Sequence, residues 1–217
     1  MSNSRRGSTA ASSAGIAAAA VYIVFALVAF LKYPAAYGPL TNWLSDLGSP
    51  VGNPSGAIFY RLGCTLSGLG LILFYVNLRV WNTGIRRARA LLITAQCAGV
   101  FSAVSLIVTG VFPLGTSTST HSLWSMMLYI SLGFFLTFSA TALMKHPAFK
   151  KGFGYYAFAT AGVNFAFGAV LNQIFWAEWI SVGMFIVYIL MIAYNSVALV
   201  RVSRLAVSPV HDRPPRR

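Results

Sequence analysis

Six long apolar stretches run through this chain, and they decide most of what it can fold into. They cover about residues 14–31, 57–81, 91–112, 121–144, 153–175 and 178–200. Roughly 20 apolar residues are needed for a helix to cross the hydrocarbon core of a bilayer. Each stretch falls in that range. Strands of a membrane barrel would alternate in polarity and be about half as long, so a barrel is excluded. A soluble domain is excluded by charge: 9% of the residues are charged, against about 25% in soluble domains. The expected fold is all-α, a bundle of six transmembrane helices over 14–202. Residues 1–13, Ser, Ala and Arg without an apolar run, read as a disordered tail, and 203–217 as a basic tail. Arg5 and Arg6 before an apolar run also resemble a signal peptide. The run is long, however, and Pro34-Ala35-Ala36 is a poor cleavage site, so the first helix is expected to be retained.

Sixteen Lys and Arg face three Asp and Glu, a net charge of +13. On a soluble protein that balance would suggest nucleic acid. Here the basic residues flank the apolar runs instead. Arg5 and Arg6, then Arg79, Arg86, Arg87 and Arg89, then Lys145, Lys150 and Lys151, then Arg201, Arg204, Arg213, Arg216 and Arg217 all fall on one side of a six-span topology. Lys32 and Arg61 alone fall on the other. The positive-inside rule then predicts a cell-membrane protein with both termini cytosolic. Membrane lipids are the expected partners, and nucleic acid is not.

Trp43, Trp124, Trp176 and Trp179 fall at outer span ends and Trp81 at an inner end, the depths tryptophan prefers. Gly63, Ser67, Gly68 and Gly70 in the second span, Ala98, Gly99, Ser102 and Ala103 in the third, and Gly162, Ala166 and Gly168 in the fifth let helices approach closely. Packing within the bundle is the plainer use of these residues. A second copy of the chain or another membrane protein remains as a partner class. Cys64 and Cys97 lie at different depths, too far apart to bridge, and read as buried thiols. Asn77, Gln96, Asn164, Asn172, Gln173 and Asn195 are expected to hydrogen-bond between helices. No charged residue sits near mid-membrane, which argues against a proton-coupled pump.

The few acidic residues are the most informative. Asp212 and His211 belong to the basic tail, and His146 to the cytosolic side. That leaves Asp46 in the first outer loop beside Ser45, Glu178 opening the last span, His121 opening the fourth, and Arg61 near the outer end of the second. Ionisable groups at this depth are costly unless paired. Ser45, Asp46, Arg61, His121 and Glu178 therefore form a candidate ligand-binding group, with Arg61 expected to pair with Asp46 or Glu178. A structural role stays open beside it. Glu178 suits a helix N-terminus, Ser119 or Thr120 can cap the fourth helix, His121 can bond a loop carbonyl, and Asp46 with Gly48 can hold a turn.

Metal-binding spacing is missing, so no metal is expected. Ser45, Asp46 and His121 include the residue types of a nucleophilic site but no elbow motif. Neither a Walker motif nor a dinucleotide fingerprint occurs, and haem attachment lacks its motif, so no cofactor is expected.

Asn42-Trp43-Leu44-Ser45-Asp46-Leu47-Gly48, with Pro54 and then Ala57-Ile58-Phe59, resembles the prokaryotic domain-of-unknown-function 998 family. Gly110-Val111-Phe112-Pro113 followed by His121 looks like its second signature, and Glu178 like its third. Tyr60 stands where members often have Asn, and Trp179 where they often have Arg after the Glu. Arg61 is a candidate for that missing cation. The resemblance implies six helices and no established reaction. It raises the standing of Ser45, Asp46, His121 and Glu178. The function expected first is binding of a lipid headgroup or similar amphiphile in an outward polar pocket. A membrane-embedded hydrolase or transferase, and a small transporter or accessory subunit, are the alternatives.

Overall fold

Apolar length turns directly into helix. A computed structural model describes residues 2–168 and 174–205, with side chains described for 12–168 and 174–197. Its six α-helices are α1 (Ser2–Leu31), α2 (Ala57–Asn77), α3 (Arg86–Val111), α4 (Thr118–Leu143), α5 (Lys151–Ala166) and α6 (Phe175–Leu205). Short 3-10 turns occupy Leu44–Gly48 and Leu78–Trp81, and no strand occurs among the described residues.

Among the described residues five helices, all but α5, are long and apolar enough to cross a membrane. The described part of α5 is 16 residues, about 24 Å at 1.5 Å per residue, and short of a full span. The expected run 153–175 extends into residues outside the described set. In place of the expected tail, helical backbone starts at Ser2. Ala10 and Ala11 are strong helix formers, and the Ser12 hydroxyl donates to Ala193 O on α6 at 3.0 Å. Asp212, His211 and the last three arginines lie outside the described residues, as do Asn172 and Gln173.

Each helix packs on its neighbours in sequence, and α6 returns to α1, so the bundle closes as a ring in chain order. Phe74, Tyr75, Phe135, Tyr188 and Ile192 fill its core. The ring leaves a central apolar cavity of about 60 Å³, walled by residues such as Ala18, Leu71, Leu106, Leu132 and Phe185. Gly68 lets α3 approach α2: a Cβ there would stand 2.9 Å from Ala103 O.

Polar side chains inside the bundle are largely spent on backbone. Gln96 donates to Tyr75 O and Val76 O across α2–α3. The Ser181 hydroxyl of α6 donates to Asn164 Oδ1 of α5. Asn77 instead serves its own helix, through Leu73 O. Asn195 clamps the α4–α5 connection, accepting from Lys150 N–H and donating to Ala148 O, both at 3.0 Å. At the other end of α5, Phe167 packs with Tyr129 and Ala177. Ala177 and Asn195 are eighteen residues apart on α6, about 27 Å. The α5 segment therefore runs alongside α6 between those two levels.

Three local expectations need correction. Trp81 is not an interface anchor: it is 1% exposed and donates through Nε1 to Ser196 Oγ at 3.0 Å. An indole N–H inside a bundle needs a partner, and α6 supplies it. Cys64 is buried, but Cys97 is exposed, on the outward side of α3. Helix α4 begins at Thr118, so Ser119 and Thr120 lie inside it and cap nothing.

Candidate functional site

The first loop is held from several sides. Asn53, fully buried, donates to Ala29 O and Leu47 O at 3.0 Å each and accepts from Gly56 N–H at 3.1 Å. The Tyr37 hydroxyl donates to Trp43 O at 2.7 Å. Trp179 Nε1 reaches Asn42 O at 3.0 Å. Burial first, then the nearby Glu178 and Asp46 carboxylates, push the Tyr37 phenol far above its ordinary range, so it remains a donor.

Asp46 turns inward on this loop. Its Oδ2 accepts the Trp43 N–H at 2.9 Å, closing the 3-10 turn Leu44–Gly48. Burial raises its carboxyl above the ordinary value, while the Trp43 N–H, nearby His121 and Asn42 partly offset that rise.

Ser45 points the other way, towards α6. Its N–H and hydroxyl both reach Glu178 Oε2, at 3.3 and 3.4 Å. From α4, the Tyr129 hydroxyl donates to Glu178 Oε1 at 3.3 Å. Glu178 is 6% exposed and sits in the first turn of α6, where the helix dipole favours a negative charge. Among the described residues no cation pairs with it.

His121 is 5% exposed and sits in the first turn of α4. Its Nδ1 lies 2.9 Å from Phe112 O and 3.2 Å from Thr109 O. Two carbonyls can only accept, so Nδ1 carries the proton and the neutral ring has Nε2 as its acceptor. That Nε2 is buried and has no hydrogen-bond partner among the described residues.

Ser45, His121 and Glu178 line one cavity of about 360 Å³, walled by the first loop, α4, Phe167 and Gly168 just past α5, and the start of α6. Asp46 is not in its wall, although it lies close enough to His121 to influence it electrostatically. Arg61 is not part of the group. Its Nε donates to Gly110 O at 2.9 Å and its Nη2 to Val111 O at 3.3 Å. The expected ion pair is absent because the open carbonyls ending α3 take the guanidinium. Lys32 lies over the Phe59 ring at 5.5 Å. No three of His, Cys, Asp and Glu gather as a metal would require among the described residues.

The family described as a protein of unknown function (DUF998) matches residues 16–203. The chain belongs to this family. No curated protein and no solved structure matches it. The DUF998 match runs from α1 through α6 and includes all five candidate residues. With its membrane-length helices, the chain fits a multi-pass integral membrane protein.

Several wall residues of this DUF998 pocket escaped the sequence reading. Tyr129 holds Glu178 from α4 and also lines the central apolar cavity. Ser125 and Ser122 add hydroxyls, and Trp43 and Phe167 add aromatic faces. A signal was present: His121, Ser125 and Tyr129 recur every four residues, which puts them on one helix face.

Proposed function

We propose that this protein binds the polar headgroup of a membrane amphiphile in the pocket between α4, α5 and α6. One observation carries the reading: Tyr129 is a wall of both the polar pocket and the apolar cavity at the centre of the ring. A polar site above an apolar one matches a molecule with a head and a tail. At about 360 Å³, the polar part has the size of a small-molecule site.

The pocket faces the cell exterior in this reading, and both termini are cytosolic in the cell membrane. The distribution of Lys and Arg supports that orientation. So does the course of α5 between the levels of Asn195 and Ala177, which is consistent with α5 as a sixth span in this reading.

Native mass spectrometry of the full chain in mild detergent tests the binding. The expected spectrum shows a retained lipid mass on the wild type. That mass is lost in Ser125→Trp, which fills the pocket while leaving Ser45, Tyr129 and Glu178 themselves unchanged. Absence of lipid on the wild type, or retention unchanged by Ser125→Trp, overturns the proposal.

A further inference from the structure

The chemistry of the pocket wall narrows the headgroup, taking the lipid-site reading above as its basis. A phosphate or carboxylate site would need an Arg, a Lys or a row of free N–H groups. Among the described residues neither Lys nor Arg lines this cavity, and Arg61 and Lys32 are engaged elsewhere, Arg61 on the end of α3 and Lys32 over Phe59. The ionisable residues that line it are instead Glu178 and His121. Glu178 receives donors at both oxygens, so its surroundings are organised for an acceptor, yet no cation among the described residues pairs with it. His121 keeps a buried Nε2 with no partner among the described residues, while its other nitrogen is fixed on carbonyls.

The aromatic side of the cavity points the same way. Phe167 meets Tyr129 edge-on at 4.3 Å between ring centroids and Trp43 at 6.3 Å. All three line the pocket. Aromatic faces beside a carboxylate form the environment that attracts a cationic ligand and repels an anionic one.

We propose that the pocket selects amphiphiles bearing a primary ammonium headgroup, with Glu178 as counter-charge, the Trp43–Tyr129–Phe167 wall against the cation, and His121 Nε2 accepting an N–H. The histidine separates a primary ammonium from a quaternary one. The aromatic wall and the carboxylate suit both, but only the primary ammonium has a hydrogen to donate.

Nanodiscs containing equal parts of phosphatidylethanolamine, phosphatidylcholine and phosphatidylglycerol, with matched acyl chains, test this with the full chain. Lipids that stay on the protein after transfer to mild detergent are counted by native mass spectrometry. Phosphatidylethanolamine should be enriched about tenfold over phosphatidylglycerol, as one charge-assisted contact predicts, and should also exceed phosphatidylcholine. Glu178→Gln should return the ratio to that of the bilayer. If Glu178→Gln does not fold, the wild-type competition still decides. Equal or preferred retention of phosphatidylglycerol overturns the ammonium assignment and leaves the lipid site standing. Equal retention of phosphatidylcholine overturns the role of His121 Nε2. Retention of no lipid overturns both this inference and the lipid-site reading. Thermal stabilisation by free ethanolamine equal to that by the lipid overturns a lipid source for the amine.

Discussion

Ser45 delivers two donors, its backbone N–H and its hydroxyl, to a single oxygen of Glu178, at 3.3 and 3.4 Å. The contact ties the first loop to the start of α6 across 133 residues of chain. Ser45→Ala removes one donor and leaves the N–H in place. It should cost about 1 kcal/mol, as for a single modest hydrogen bond. Glu178→Ala strips the acceptor from Ser45 N–H, Ser45 hydroxyl and Tyr129 hydroxyl together. Its expected cost is about 2–4 kcal/mol, because stranded buried donors are expensive. Thermal unfolding in detergent ranks the two, and equal losses would contradict the shared acceptor.

Arg61 supports α3 rather than a carboxylate. Its contacts to Gly110 O and Val111 O place a cation on the last carbonyls of that helix, where the dipole favours it. Arg61→Ala should cost about 1–2 kcal/mol. Combined with Asp46→Asn, the losses should add to within about 0.5 kcal/mol, as for sites that do not interact. Coupling above about 1 kcal/mol would restore the ion pair that the structure lacks.

Helix positions were legible in the sequence because bilayer thickness is a strict ruler, and no tertiary detail is needed to apply it. The end of α5 was less legible. Apolarity continues from Gly152 towards Phe175, and the described α-helix covers Lys151–Ala166. In the site, scarcity found His121 and Glu178, since isolated ionisable groups in an apolar chain stand out. The same criterion could not find Tyr129, which does not count as charged. It misplaced Arg61 because opposite charges suggest pairing, whereas helix-end carbonyls compete for a guanidinium and leave no mark in composition.

Asp46 should give stability a distinctive acid dependence. Burial raises its carboxyl above the ordinary value of 3.8 in the folded chain. A raised folded value means that folding favours the protonated form. That contribution is fully present below the unfolded value and is lost as pH rises through the folded one. Asp46→Asn keeps a carbonyl oxygen for the Trp43 N–H and removes the titration. Melting temperatures from about pH 3.5 to 6 should therefore show the variant gaining on the wild type as pH rises. The opposite trend would mean that the charged form of Asp46 is the one the fold prefers.

Two glycines, one on α2 and one on α5, should respond in opposite directions to alanine. At Gly68 a Cβ would stand 2.5 Å from Ile107 Cγ1 and 2.9 Å from Ala103 O. The backbone oxygen cannot easily move, so Gly68→Ala should force α2 from α3 and cost about 1–3 kcal/mol. At Gly162 on α5 none of the described residues lies within 4 Å of an added Cβ. Gly162→Ala should be neutral or gain up to about 1 kcal/mol from helix propensity. Thermal unfolding of the pair checks the contrast, and a loss at Gly162 would reveal a close neighbour on α5, such as a second copy of the chain.

Topology is the prediction on which the direction of the pocket depends. Five membrane-length helices alone would put the two termini on opposite sides. The outcome turns on α5, whose Lys150 end is fixed near Asn195 and whose Phe167 end meets Tyr129 and Ala177. If α5 crosses, the connections at Arg89 and Lys151 and the C-terminus share one side, the side rich in Lys and Arg. Reporter fusions after Arg89, after Lys151 and at the C-terminus should then read cytosolic, and fusions near Pro50 and Ser117 external. Pro50 lies just beyond Ser45 and Asp46, and Ser117 just before the turn that carries His121. An external reading at those two positions therefore opens the Glu178 pocket to the outer leaflet. A cytosolic reading at Ser117 would turn the pocket inward, and a C-terminus opposite to Lys151 in sidedness from this pattern would remove α5 from the spans.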